Sequence, residues 1–124
     1  MGEGRARKVG IFIQKEFSEI LRRDIKDPRI GFVTVTKVRV TPDLKIANIY
    51  ISIYGSDEEK EKSIRGLESA KGYIRSLFAK RLELRFAPEI RFFFDESIEE
   101  GIRISKLISE LKEKEEKKVE NNKL

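Results

Sequence analysis

The run Phe32-Val33-Thr34-Val35-Thr36-Lys37-Val38-Arg39-Val40-Thr41, then Pro42-Asp43-Leu44-Lys45, then Ile46-Ala47-Asn48-Ile49-Tyr50-Ile51-Ser52-Ile53-Tyr54 decides the fold. β-Branched residues dominate both flanks, as on pleated, half-buried surfaces. The proline and aspartate between them are turn residues, so the stretch predicts a β-hairpin. In the second strand Ala47, Ile49, Ile51 and Ile53 share one face. The first strand changes phase: Val33 and Val35 are odd, Val38 and Val40 even. A one-residue slip exchanges the two faces, so either a β-bulge near Thr36-Lys37 or burial of both faces explains the pattern.

Upstream, Val9, Phe12, Ile13, Phe17, Ile20 and Leu21 recur at three- and four-residue steps and predict an amphipathic helix over 5–25. It ends before Pro28, because the residue preceding a proline avoids helical angles; residues 27–31 are a loop. Downstream, Ser56 with Glu59 three positions later reads as a capping box. An apolar stripe of Ile64, Leu67, Ala70, Ile74, Leu77 and Phe78 carries a helical pattern to about Leu84. That is long for a small domain. Gly66 and Gly72 each cost roughly 1 kcal/mol in a helix interior, so a break is expected at Ala70-Lys71-Gly72, one uninterrupted helix being the alternative. Ala87-Pro88 opens a third strand over 89–95, and a last helix is expected over 97–111. The order α-β-β-α-α-β-α predicts a two-layer α+β fold, one three-stranded sheet with helices packed on one face. Residues 1–111 make a single domain, and the Lys/Glu-rich residues 112–124 a charged, flexible tail.

The 124 residues are one domain's length. Charged residues make up 40% of the chain, well above the usual quarter. Histidine, cysteine and tryptophan are absent. Without the first two there is no Ser-His-Asp or Cys-His arrangement, no disulfide and no zinc site of the usual ligands. No Gly-rich loop ends in Gly-Lys-Ser/Thr, which argues against nucleotide hydrolysis. No cofactor or metal is expected. No signal-peptide core and no stretch of ~20 apolar residues is present, so a cytoplasmic location is expected. Asp95-Glu96 is a conceivable carboxylate pair, but Ser97 followed by Glu100 reads better as a helix cap.

The net charge of +5 is unevenly placed. Through Asp95 there are 20 basic and 14 acidic residues; beyond it, 7 and 8. A basic body of this kind suits a polyanionic partner. Arg5, Arg7 and Lys8 crowd the first turn of the first helix, where cations oppose the helix dipole. Lys71 and Arg75 share a helical face beside the expected break, where freed backbone N–H groups would seat a phosphate. Lys80, Arg81 and Arg85 follow, and Lys37, Arg39 and Lys45 lie on the hairpin. Aromatic residues are not interleaved as in an RNP motif, so base stacking is not the main mode expected; packing is the first reading of Tyr50, Tyr54 and Phe93.

The segment Asp27-Pro28-Arg29-Ile30-Gly31-Phe32-Val33-Thr34-Val35-Thr36 with Val40-Thr41-Pro42-Asp43-Leu44 resembles the ribosome-binding factor A family. So do Ala70-Lys71-Gly72-Tyr73-Ile74-Arg75, Leu84-Arg85-Phe86-Ala87-Pro88-Glu89-Ile90-Arg91-Phe92 and Asp95-Glu96-Ser97. The resemblance spans about residues 5–108. It implies a type II K-homology-like domain in which an Ala-x-Gly helix-kink-helix, here Ala70, Lys71 and Gly72, replaces the Gly-x-x-Gly loop. It also implies a non-catalytic assembly factor that binds the immature small (30S) ribosomal subunit and its 16S rRNA. Such factors assist late maturation, including processing of the rRNA 5′ end, and are linked to growth in the cold. The RNA-binding residues expected are Arg5, Arg7, Lys8, Arg29, Lys37, Arg39, Lys45, Lys71, Arg75, Lys80, Arg81 and Arg85, in a protein that is monomeric off the ribosome. The competing readings are a protein-interaction module using the hairpin edge or the C-terminal helix, and a metal-dependent nuclease at Asp95 and Glu96.

Overall fold

A computed structural model describes residues 2–95, 102–104 and 108–115. Helix α1 runs Gly2–Arg23, strand β1 Phe32–Val40, strand β2 Ile46–Tyr54, helix α2 Asp57–Arg81, strand β3 Glu89–Phe94 and strand β4 Ile102–Arg103. The sheet order is β1-β2-β3-β4. β2 pairs antiparallel with β1 and parallel with β3, so α2 is the crossover between parallel neighbours.

The phase change in β1 is a bulge. Val35 pairs with Ile51 and Lys37 with Tyr50, leaving Thr36 as the extra residue. Val35, Val38 and Val40 therefore all face the helices. Residues of β2 alternate without interruption: Ala47, Ile49, Ile51 and Ile53 are buried. Ile90 and Phe92 of β3 join them, with Ile13, Phe17 and Ile20 of α1 and Ile64, Leu67, Ile74 and Phe78 of α2. Phe17 is the hub, 5.7 Å from the ring of Phe92 and 6.5 Å, edge-on, from that of Phe78. Burying each such side chain contributes about 1.5–3 kcal/mol.

α1 departs from its expected stripe at Phe12, which is exposed. Ala6 and Gly10 are buried instead, because the helix rides close over β1: a Cβ on Gly10 would stand 3.3 Å from the Val38 carbonyl oxygen.

α2 corrects the expectation of two shorter helices. It is a single helix that passes unbroken through Ala70-Lys71-Gly72, so no backbone N–H groups are freed there. Its start is fixed by the capping box: Ser56 Oγ accepts from the Glu59 N–H at 3.2 Å, and Glu59 Oε1 accepts from the Ser56 N–H at 3.2 Å. Burial of Ile64, Leu67, Ile74 and Phe78 on both sides of the glycines outweighs their ~1 kcal/mol propensity costs. Gly66 is there for closeness, since Ile30 occupies the space its side chain would need.

The C-terminal part also differs from the sequence reading. Residues 102–103, expected in a helix, form β4, with Phe93 opposite Arg103 and Phe94 opposite Ile102. Residues 108–115 are helical and continue past 111. Glu115 pairs with Arg65 of α2 at 2.6 Å. The Ser97 cap with Glu100, Glu96 of the carboxylate pair and residues 116–124 lie outside the described residues.

Candidate nucleic-acid interface

The turn between β1 and β2 is built to be tight. The Leu44 N–H donates to the Thr41 carbonyl at 2.8 Å, and Leu44 takes a left-handed φ of 61°. The Asp43 carboxylate accepts from Thr41 Oγ1 at 2.6 Å and from the Lys45 N–H at 3.1 Å. Those two hydrogen bonds hold the Asp43 carboxyl below its ordinary range, the hydroxyl acting most strongly. The result is a rigid corner that sets Lys45 outward.

Two hollows flank this corner. One, of about 520 Å³, is lined by Arg5, Lys45, Arg75 and Arg85 with Asp43 and Phe86 among their neighbours. The other, about 600 Å³, is lined by Arg7 and Arg39 with Glu3, Ile11 and Val38 among theirs. Six cations from α1, the hairpin, α2 and the loop after α2 thus stand round one corner, against two carboxylates. The loop after α2 is shaped by Glu83, at φ 51°. Arg75 stiffens it, donating through Nε and a terminal N–H to the Ala87 carbonyl at 3.2 and 3.0 Å. Arg85 lies 5.6 Å from the ring of Phe86, which is 76% exposed. A corner of clustered cations on a hydrogen-bonded turn suits phosphate-bearing ligands, since phosphate contacts position a nucleic acid without reading its sequence.

The other expected residues are placed elsewhere. Arg81 joins the two helices, pairing with Glu16 at 3.1 Å and Asp24 at 2.9 Å. Lys71 is held by Glu68 at 2.8 Å and lies 5.8 Å from the Phe92 ring. Arg29 forms a fork on Asp27, its closest contact 2.6 Å, in the loop bound to α2 through Ser63. That fork is the main cause of the lowered Asp27 carboxyl pKa. Lys37 lies over Tyr50 on the opposite side of the sheet from the helices, 4.3 Å from the ring centre. Lys8 and Lys80 are exposed outside both linings. The sequence reading omitted Arg91 and Arg103. Arg91 had a legible signal: in β3 it shares parity with Phe93 and opposes the buried Ile90 and Phe92. Among the described residues no group of three or more Asp or Glu side chains is placed to hold a metal ion, and no helix is long and apolar enough to cross a membrane.

A mixed sheet with helices on one face, a capped crossover helix and a basic corner define a K-homology-like domain. The structure is similar to an NMR structure of a Thermotoga maritima protein described as ribosome-binding factor A, with 37% identity and a TM-score of 0.66 over 79% of this chain and 93% of that one. It shares its fold with the crystal structure of ribosome-binding factor A from Thermus thermophilus, at 22% identity and a TM-score of 0.61 over 70% and 92% of the two chains. Ribosome-binding factor A of Halothermothrix orenii is 46% identical over 116 residues, 94% of this chain and 95% of that protein. The family model of ribosome-binding factor A matches residues 5–108. The chain belongs to the ribosome-binding factor A family.

Proposed function

We propose that this protein binds the immature small ribosomal subunit through 16S rRNA, using the basic corner around the β1–β2 turn, and assists late maturation, including that of the rRNA 5′ end. The observation that carries this reading is the convergence of Arg5, Arg7, Arg39, Lys45, Arg75 and Arg85 on two adjoining hollows. Family membership supports it, as does a Thermus thermophilus ribosome-binding factor A fitted into density of a 30S complex, a protein of the same fold. The action is non-catalytic: binding stabilises the RNA arrangement that fits the corner best, until neighbouring elements have folded. The acting form is a cytoplasmic monomer whose residues 1–111 serve as one RNA-binding domain, and its value is greatest in the cold.

Titration of immature subunits at rising salt tests the reading. The logarithm of affinity falls linearly with the logarithm of salt concentration. Lys45→Glu with Arg85→Glu lowers affinity more than tenfold and reduces the slope by about one per lost phosphate contact. Unchanged affinity and slope would refute the assignment. Capture of a protein partner that survives ribonuclease would favour an interaction module instead.

A further inference from the structure

The side of the sheet facing away from the helices is not a neutral solvated surface. Its side chains form cross-strand rows. Lys37, Tyr50, Phe93 and Arg103 make one, in which Lys37 lies over the Tyr50 ring at 4.3 Å and Tyr50 stacks on Phe93 at 5.1 Å. Arg39, Asn48 and Arg91 make the next. Phe32 and Tyr54 pair at the far corner and are the most exposed large apolar side chains among the described residues, at 79% and 82%.

Three features point to one kind of occupant. The face carries four cations; its carboxylates among the described residues are Glu89, which Arg91 holds at 3.2 Å, and Asp95, which follows in the same alternation at the end of β3. The Nε atoms of Arg91 and Arg103 are buried without a hydrogen-bond partner, as is Asn48 Oδ1 in the Arg91 row, so the polar groups of these rows are not fully satisfied among themselves. The exposed aromatic pair lies on the same face, separated from the cationic rows by the Thr34–Ser52 row. Rows two residues apart are about 7 Å apart. Phe32 and Tyr54 therefore stand about 20 Å from the Arg39 row, the span of a short single strand. Cations along a backbone path and an aromatic platform together are the requirements of single-stranded nucleic acid.

We infer that this open face is a second RNA surface, taking a single-stranded segment with an unpaired base against Phe32 and Tyr54 and its phosphates along Lys37, Arg39, Arg91 and Arg103. It lies apart from the two hollows, sharing only Arg39 with them, and goes beyond the proposed function in adding an unpaired strand as a ligand.

The test uses the full chain and a fluorescein-labelled 12-nucleotide oligouridylate, read by fluorescence anisotropy, with amide shifts from NMR locating the contact. Phe32→Ala with Tyr54→Ala weakens binding about tenfold or more, within the range for losing base stacking. Tyr54→Phe keeps the ring and keeps the affinity. Lys45→Glu with Arg85→Glu, which disables the corner on immature subunits, leaves the oligouridylate within about threefold, by independence of separated sites. The two readings can thus fail separately. The inference is overturned if the double alanine variant, shown folded by its circular dichroism, binds as the parent does. It is also overturned if the shifts map to the hollows, or if a poly-glutamate peptide of equal charge displaces the RNA at equal molarity, marking the face as one for an acidic protein.

Discussion

Gly66 of α2 lies directly against Ile30: a Cβ at position 66 would stand 2.6 Å from Ile30 Cγ1 and 3.4 Å from the Asp27 carboxylate. The loop that follows α1 is seated on the helix at this point, with the Gly31 N–H donating to Ser63 Oγ at 3.0 Å. Gly72 has nothing within 4 Å of the same position. Two glycines of one helix therefore have opposite meanings. Gly72→Ala stabilises by up to about 1 kcal/mol through helix propensity. Gly66→Ala destabilises by about 1–3 kcal/mol, the cost of overpacking exceeding the propensity gain. Urea unfolding of both variants decides it, and a stabilised Gly66→Ala would contradict the contact.

Acid weakens the fold through particular carboxylates. Backbone and hydroxyl donation from Ser56 keeps Glu59 below its ordinary 4.5, and Arg29 and Thr41 keep Asp27 and Asp43 below 3.8. All three are lowered on folding. Their contribution is thus present above the unfolded values and lost as the pH falls through the folded ones. Urea midpoints should be level between about pH 7 and pH 5 and fall below about pH 4.5. Glu59→Gln retains a capping-box side chain but removes one titrating group, so its midpoint falls less steeply. Identical acid profiles would exclude Glu59 as a contributor.

Arg81→Ala separates structural from binding cations. Its partners are Glu16 of the other helix and Asp24 just past that helix's end, so the variant melts at a lower temperature. The loss is small, because the guanidinium is about one-third exposed and solvent screens the pairs. Affinity for immature subunits, measured where the variant is fully folded, is unchanged within about twofold, as for a residue remote from the interface. A tenfold loss would place Arg81 on the RNA.

Deletion of Thr36 tests the bulge. With that residue removed, Val35 and Lys37 become neighbours opposite Ile51 and Tyr50, so the register on both sides is already correct. The chain still folds cooperatively, losing the 3.3 Å bond from Thr36 Oγ1 to the Tyr50 carbonyl at a cost of about 1 kcal/mol. Loss of the cooperative transition would show that the extra residue is required.

The locally encoded parts of the fold were legible. The turn of the hairpin and the capping box each depend on residues within a few positions of one another, whereas the phase change in β1 left a bulge as one of two readings, decided by the pairing of Val35 with Ile51 and Lys37 with Tyr50. The unbroken α2 was not, because the role of Gly66 is defined by Ile30, more than thirty positions away. β4 was hidden because two residues are too few to interrupt a helical pattern. At the site, the sign of the charge was legible but the free cations were not. Arg29, Lys71 and Arg81 look like Arg5 and Lys45 in sequence; only the placement of Asp27, Glu68, Glu16 and Asp24 shows them engaged.

The parallel pairing of β2 with β3 has a kinetic consequence. β2 meets β1 after a short turn, but meets β3 only once the whole of α2 has been traversed. Loop-closure entropy disfavours that late, non-local step. The hairpin and α1 form the early nucleus, and β3 docks last. Truncating Ile90 or Phe92 should therefore accelerate unfolding while leaving the folding rate almost unaltered, and truncating Ile49 should slow folding. A protein assembled in that order exposes the edge of β2 transiently, with its buried isoleucines, until the crossover closes over it.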